Sequence, residues 1–379
     1  VKKELAETLL AKIMDWSDEQ KATERARLES LAAYKYDEYQ QYAPGRRFVE
    51  SLALWLRQFD KGAEREAAYD FVCNRLVFVS SSEMDHLVEL AFPTMIRSAL
   101  MEDAARDANI DPTRLKSVMA SKAYRARLRR TLVLGLSDGA RTDQFRRYNP
   151  LDVSHEQVFH AYDVSDAKAD GLVGKLKKDL TTIHGAPPDE EETTFQYVVL
   201  LDDFTASGTS YIREEEDPDS GEISWAGKIP KIIDQLEAED GLGGAIASSG
   251  VKVIVVIYVA AEQAIQYIEK RLPKLGFSKG EIELKIVHPL SSDTKLSPPR
   301  DQAIIDLIEK PEYFDASAHD EHSDVGKSSV KYGFAGCMLP VILDHNAPNN
   351  SIYLLWAEDI HSVRGLFPRV SRHRKFKST

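Results

Sequence analysis

The run Val251 to Val259, VKVIVVIYV, constrains the fold more than any other stretch of this chain. A strand with one wet face alternates apolar and polar side chains. This run is apolar nearly throughout, so both faces of its sheet must be covered, as in a mostly parallel sheet with helices on either side. The neighbouring segments agree. Thr131 to Leu136, Gln157 to Tyr162, Phe195 to Asp202, Ile282 to Val287 and Ser351 to Trp356 are short apolar runs, most of them β-branched or aromatic-rich. Helical patterns lie between several of them, as in Ala167 to Leu180 and Ala261 to Leu275. Strands that alternate with helices predict an α/β domain. Before Thr131 the period is different. Leu5, Leu9 and Ile13, then Phe48, Leu52, Trp55 and Phe59, recur at spacings that put each set on one helical face. Pro44-Gly45 joins two helices, and Asp111-Pro112 is expected to open another with the acid as N-cap. No strand signal of comparable strength precedes Thr131. The expected organisation is a helical domain over 1–130, an α/β domain over 131–363 and a basic tail over 364–379.

Composition narrows the class. A hydrophobic share of 43% and a charged share of 29% are those of a globular chain and exclude a disordered one. No stretch approaches the roughly 20 apolar residues of a membrane span. Two cysteines, Cys73 and Cys337, make neither a disulfide framework nor a four-ligand zinc site. The start, VKKELAETLL, does not read as a signal peptide, so a cytoplasmic setting without membrane is expected. A net charge of −12 argues against a uniformly basic nucleic-acid binder. The charge is unevenly spread, however. Pro112 to Arg130 holds seven basic residues and no acid, and Arg364 to Thr379 holds six more. Glu214, Glu215, Glu216, Asp217 and Asp219 form an opposing acidic cluster.

In doubly wound sheets ligands bind beyond the carboxyl ends of the strands, so residues just after each strand carry the chemistry. The apolar run Val198 to Leu201 ends in Asp202-Asp203, followed by Phe204-Thr205-Ala206-Ser207-Gly208-Thr209-Ser210. Small residues let backbone amides converge on an anion, and the hydroxyls of Thr205, Ser207, Thr209 and Ser210 add donors. A helix starting near Ser210 would add its N-terminal dipole. The two carboxylates stand where vicinal sugar hydroxyls can donate to them, and both are expected to face solvent. These groups describe a ribose-5-phosphate cradle.

VVLLDDFTASGTS resembles the phosphoribosyl-pyrophosphate signature of the type I phosphoribosyltransferases, with Phe204-Thr205 replacing the usual pair of aliphatics. The resemblance implies that fold for the α/β domain, preceded here by an all-helical one. It also implies Mg²⁺ brought in through the pyrophosphate. In such proteins the loop after the first core strand holds pyrophosphate. Here that loop is Ser137-Asp138-Gly139-Ala140-Arg141, with Gly139 supplying a strained peptide and Arg141 neutralising the leaving group. The same residues also read as an N-capping turn into a helix containing Phe145-Arg146-Arg147.

A third segment is Tyr332-Gly333-Phe334-Ala335-Gly336-Cys337, then an apolar helix, then His345-Asn346-Ala347-Pro348-Asn349-Asn350 before SIYLLW. This combination is similar to the C-terminal signature of phosphoribosyltransferase-like proteins of bacterial conflict systems, retron-associated members among them. That resemblance implies an effector in antiphage defence, acting on phosphoribosyl pyrophosphate or a nucleotide, by transfer or cleavage at the anomeric carbon. The competing reading is a catalytically silent module that controls assembly with a reverse transcriptase, an RNA–DNA hybrid or another defence protein, since the sequence identifies neither a nucleobase-reading hood nor a flexible catalytic loop. A homo-oligomer is a further expectation. The run AHDEHSD around His319 and His322 reads as a solvated polar loop rather than a metal site. The insertion Arg213 to Gly221 reads as an exposed hairpin or loop, with a helix resuming near Lys228.

Overall fold

The structure is a computed structural model that describes residues 3–161, 165–217, 220–319 and 321–369. The strands in chain order are β1 (Val77–Val79), β2 (Thr131–Gly135), β3 (Val158–His160), β4 (Tyr197–Thr205), β5 (Arg213–Glu216), β6 (Ile223–Ala226), β7 (Val251–Ala261), β8 (Gly280–Leu290) and β9 (Val341–Leu343). The chain packs as two compact units. One combines Val1–Met84 with Ser291–Thr379, and the other is Asp85–Leu290. The expected boundary at 130/131 marks where the strands of the main sheet begin; the compact units part elsewhere, at Met84/Asp85 and Leu290/Ser291.

The 85–290 unit holds a five-stranded sheet in the order β3-β2-β4-β7-β8, parallel throughout. This is the α/β architecture the sequence predicts. β7 is buried along its length except at Lys252, because it is paired on both edges and covered on both faces. The helix Asp166–His184 buries Leu172, Leu176 and Leu180, one per turn, against this core. It ends at Gly185, whose φ of 80° supplies the left-handed cap. The expected helix over 261–275 forms as Glu262–Glu269 and Leu272–Leu275, with Pro273 in the first turn of the second piece.

The other unit is mainly helical, but it also contains the parallel pair β1–β9, a strand signal the sequence reading passed over at Val77–Val79. Two expected elements are corrected here. The apolar stretch after Cys337, read as a helix, contributes strand β9. Ser351 to Trp356, read as a strand, forms a single bridge from Ser351 to Leu339 and then a one-turn helix, Tyr353–Trp356. The run is buried on every side, and a short run buried all round carries no period to distinguish the two states. Asp111 also departs from expectation. It accepts from the Thr113 backbone and hydroxyl in a turn, and the helix begins at Leu115. The first residues of the basic tail belong to this core. Leu366 and Phe367 are fully buried, and Phe367 stacks on Tyr42 and Phe48. Residues 370–379 lie outside the described residues, as do Tyr162, Pro218, Asp219 and Asp320.

Candidate functional site

β2 and β4 are neighbours, but the chain leaves β2 outward to β3 and leaves β4 the other way, to β7 and β8. Such a reversal opens a crevice beyond the carboxyl ends of the two strands. Both loops singled out in the sequence lie at this place, wholly within the 85–290 unit. β2 ends at Gly135 opposite Leu201, and the Leu136 N–H bonds to the Leu201 carbonyl at 2.9 Å. β4 runs on beside β7 as far as Thr205. Asp202 and Asp203 therefore sit where β4 has lost its β2 partner and the Ser137 loop departs.

The two acids have different surroundings. Asp202 is fully buried, which corrects the expectation that both carboxylates face solvent. Its Oδ1 accepts from the Ser137 hydroxyl and from the Asp203 N–H, the latter at 3.2 Å. Its Oδ2 accepts from the Tyr211 hydroxyl at 2.6 Å and from the Lys228 ammonium. Burial, and then the neighbouring Asp203 charge, push the Asp202 carboxyl up; Lys228 and Ser137 oppose that shift. Burial likewise pushes the Tyr211 and Tyr258 phenols well up, with the acid pair adding to it. Tyr258 is a pillar under the site, its hydroxyl donating to the Ala140 carbonyl at 2.7 Å.

Asp203 is half-buried and lies against the loop after β2. A Cβ on Gly139 would stand 2.4 Å from Asp203 Oδ2, so only glycine admits this approach. The expected strain falls elsewhere, on Arg141 at φ 48°. Arg141 Nη1 donates to Asp85 Oδ1 at 2.8 Å, and the side chain is 11% exposed. The helix expected here, with Phe145, Arg146 and Arg147, runs Thr142–Tyr148. Ser137 does not cap it, because its hydroxyl is committed to Asp202. Asp138 is exposed in the turn Asp138–Ala140.

Residues 205–210 form a tight turn. The Gly208 N–H donates to Thr205 Oγ1 at 3.2 Å, the Thr209 N–H donates to Ser207 Oγ at 3.4 Å, and the hydroxyls of Ser207 and Thr209 are 3.0 Å apart. Thr205, Ala206, Ser207 and Gly208 are buried, Thr209 is half-buried and Ser210 is exposed. Gly208 adopts φ 78°, and a Cβ there would meet Tyr267 Cδ1 at 2.9 Å and the Ala264 carbonyl at 3.1 Å. No helix starts at Ser210. The chain makes the hairpin β5–β6 instead, and Arg213 pairs with Ala226 at its base. The helix Lys228–Glu237 then begins where the hairpin left. The Lys228 N–H donates to the Ser210 carbonyl at 3.0 Å, and the Ile229 N–H to the Tyr211 carbonyl at 2.9 Å. Gly227 permits this return: at φ 119°, a Cβ would lie 2.6 Å from the Tyr211 carbonyl oxygen. A helix start is thus present beside the 205–210 turn, displaced in sequence by a self-closing excursion.

Sequence reasoning missed Lys228 and Tyr211. The signal available was a need rather than a motif: a buried acid beside a second acid calls for a cation, and a lysine opens the next helix. Among the described residues, no group of three His, Cys, Asp or Glu residues could hold a metal. In the AHDEHSD run His319 meets Asp324 at 2.9 Å; nothing is described of Asp320 or of the Glu321 and His322 side chains. No described helix is long and apolar enough to cross a membrane.

A family profile, PRTase-CE, matches residues 52–369, which is most of the chain and includes both loops. The chain belongs to the PRTase-CE family. The phosphoribosyltransferase-like identity that the Asp-Asp loop implied therefore holds, and the α/β fold agrees with it. No curated protein and no solved structure gives a significant match. In this PRTase-CE chain the signature residues occupy the crevice at which the strand order reverses.

Proposed function

We propose that this PRTase-CE chain binds phosphoribosyl pyrophosphate, or a ribose-phosphate nucleotide, across the ends of β2 and β4. The observation that carries the reading is the seating of Asp203 on Gly139, which joins the acid pair to the loop after β2 beside the 205–210 turn. Thr205, Ala206, Ser207, Gly208, Thr209 and Ser210 anchor the 5′-phosphate through amides and hydroxyls, next to the first turn of the helix Lys228–Glu237. Asp203 accepts from the ribose hydroxyls directly. Asp202 acts through the Ser137 and Lys228 it holds, and together the acids favour positive charge developing at the anomeric carbon. Ser137, Asp138 and Gly139 line the pyrophosphate side, where Arg141 assists departure.

Mg²⁺ fits this site as an ion that arrives on pyrophosphate oxygens and keeps its waters. Half-buried Asp203 and exposed Asp138 carry hard carboxylate oxygens, and Asp202 is held by Ser137, Tyr211 and Lys228. When bound, the ion neutralises charge on the leaving pyrophosphate.

A second reading is favoured by one specific observation, the complete engagement of Asp202. A site whose first acid is locked by Lys228 suits a module that binds its ligand without turnover and so controls assembly with a reverse transcriptase, an RNA–DNA hybrid or another defence partner. Either way, the expected biological role is that of an effector in antiphage defence. Calorimetry with phosphoribosyl pyrophosphate and Mg²⁺ tests the binding step. Asp203→Asn and Gly139→Ala should each lose affinity at least about tenfold while the fold persists, since neither removes a core contact. Wild-type affinity in both variants would refute the cradle. Pyrophosphate release then separates the two readings: turnover supports the enzyme, and tight binding without release supports the module.

A further inference from the structure

Among the described residues β8 is the outer strand of the sheet, with β7 on one side and no strand on the other. It runs from Gly280 to Leu290, and Leu290 is its one buried residue. The phase of its ladder shows which backbone groups are in use. The Val251 N–H donates to the Lys279 carbonyl across the Val251↔Gly280 pair. In a parallel ladder this phase turns the N–H and C=O groups of Glu281, Glu283, Lys285 and Val287 toward β7. Those of Ile282, Leu284 and Ile286 point outward. Among the described residues no backbone hydrogen bond takes up these outward groups; the short segment Phe92–Ile96 also approaches β8 without engaging them. The side chains of Ile282, Leu284 and Ile286 pack on the core of the unit yet stay half-exposed. A groove of about 520 Å³ lies along this edge, lined by Leu272, Pro273, Phe277, Ile282 and Leu284 among others. On the opposite face Lys285 pairs with Glu283.

We propose that β8 pairs antiparallel with β8 of a second copy of this chain, about a two-fold axis at Leu284, so that the two sheets become one. The strand's own sequence selects this occupant. An axis at Leu284 sets Leu284 opposite its copy and Ile282 opposite Ile286. These are the residues with outward backbone groups, so each facing pair exchanges N–H···O bonds in the narrowly spaced pattern. The same register sets Glu283 opposite Lys285 on both sides of the axis. Those are the non-hydrogen-bonded pairs, whose side chains approach closest and where opposite charges stabilise. Shifting the axis by one residue destroys the match: centred on Glu283 it opposes Glu283 to its copy, and centred on Lys285 it opposes Lys285 to its copy. Charges on an edge strand ordinarily keep strands apart; here the Glu–Lys alternation disfavours the registers one residue away and favours this one.

Sedimentation equilibrium on the full chain tests the pairing. The wild type should dimerise. Lys285→Glu and Glu283→Lys each place like charges in both facing pairs, and each alone should weaken the dimer at least about tenfold. Mixing the two variants restores a Glu–Lys pair at every position, so a heterodimer of near wild-type affinity should form. Leu284→Pro should abolish the dimer and keep a native circular-dichroism spectrum, because the lost N–H faces away from β7. A wild type that stays monomeric at all concentrations overturns the proposal. So does a dimer indifferent to the single charge reversals, or a mixture that fails to reassociate.

Discussion

Asp202 and Asp203 are adjacent in the chain and chemically identical, yet one is a buried structural anion and the other borders the crevice. Alternation along β4 sends their side chains to opposite faces, and only the Asp202 side meets Ser137, Tyr211 and Lys228. A carboxylate buried with its cation is costly to uncouple. Lys228→Met should therefore destabilise the protein by about 3 kcal/mol, leaving the buried Asp202 carboxyl without its cation. The double variant Asp202→Asn/Lys228→Met should recover much of that loss, because it removes both charges. Urea unfolding of the four proteins in this cycle measures the coupling; strictly additive losses would mean that the pair is not a unit. The acid pair and the small-residue turn were legible in the sequence because they are contiguous. Lys228 was not, because its link to Asp202 exists only after a hairpin has folded back on itself.

The hairpin β5–β6 gives the element scale its clearest question. Glu214, Glu215 and Glu216 are exposed on β5, and Lys274 reaches Glu214 at 3.8 Å. Acids beside the proposed site for a polyanion should slow its entry. Replacing the three with Gln should speed ligand association at low salt, with the gain fading as ionic strength rises; stopped-flow rates across a salt series check this. The helix Arg97–Asp107 is fixed differently. Its buried Asp103 accepts from the Tyr197 hydroxyl at 2.6 Å, pairs with Lys252 at 3.0 Å, and so ties the helix to β4 and β7. Burial pushes the Asp103 carboxyl up, but the Tyr197 and Lys252 hydrogen bonds and the Lys252 charge outweigh it, so the folded value lies below the ordinary aspartate range. A depressed carboxylate adds stability above its unfolded pKa and loses it as pH falls through the folded value. Asp103→Ala should cost about 2 kcal/mol at pH 7, and the gap to wild type should shrink below a pH of about 4. Denaturant melts at both pH values report it. The main strands were readable from apolar runs bounded by turns. Ser351 to Trp356 was misread because a run buried on all sides shows no period, and Val77–Val79 was missed because so short a strand depends on β9, far along the chain.

At the scale of the whole molecule, local pattern located where β2 begins but not which segments pack together. Composition changes at Thr131, whereas packing joins residues before Asp85 to residues after Leu290. Phe367 shows how tightly. It is fully buried and stacks on Tyr42 and Phe48 from the other end of the sequence. Phe367→Ala should cost about 3–5 kcal/mol in that unit, visible as earlier thermal unfolding, while ligand affinity at the β2–β4 crevice is retained below the transition. The discontinuity also imposes an order on synthesis. Residues 85–290 are complete as a packing unit while the partners of residues 1–84 have yet to be translated. The unit with the β2–β4 crevice can therefore fold on the ribosome first, with the N-terminal helices waiting, their apolar faces uncovered, for the segment from Ser291 onward. A message cut short after Leu290 would yield a chain with a finished crevice and an unfinished core, which makes chaperone dependence and rapid turnover the expected fate of truncated products.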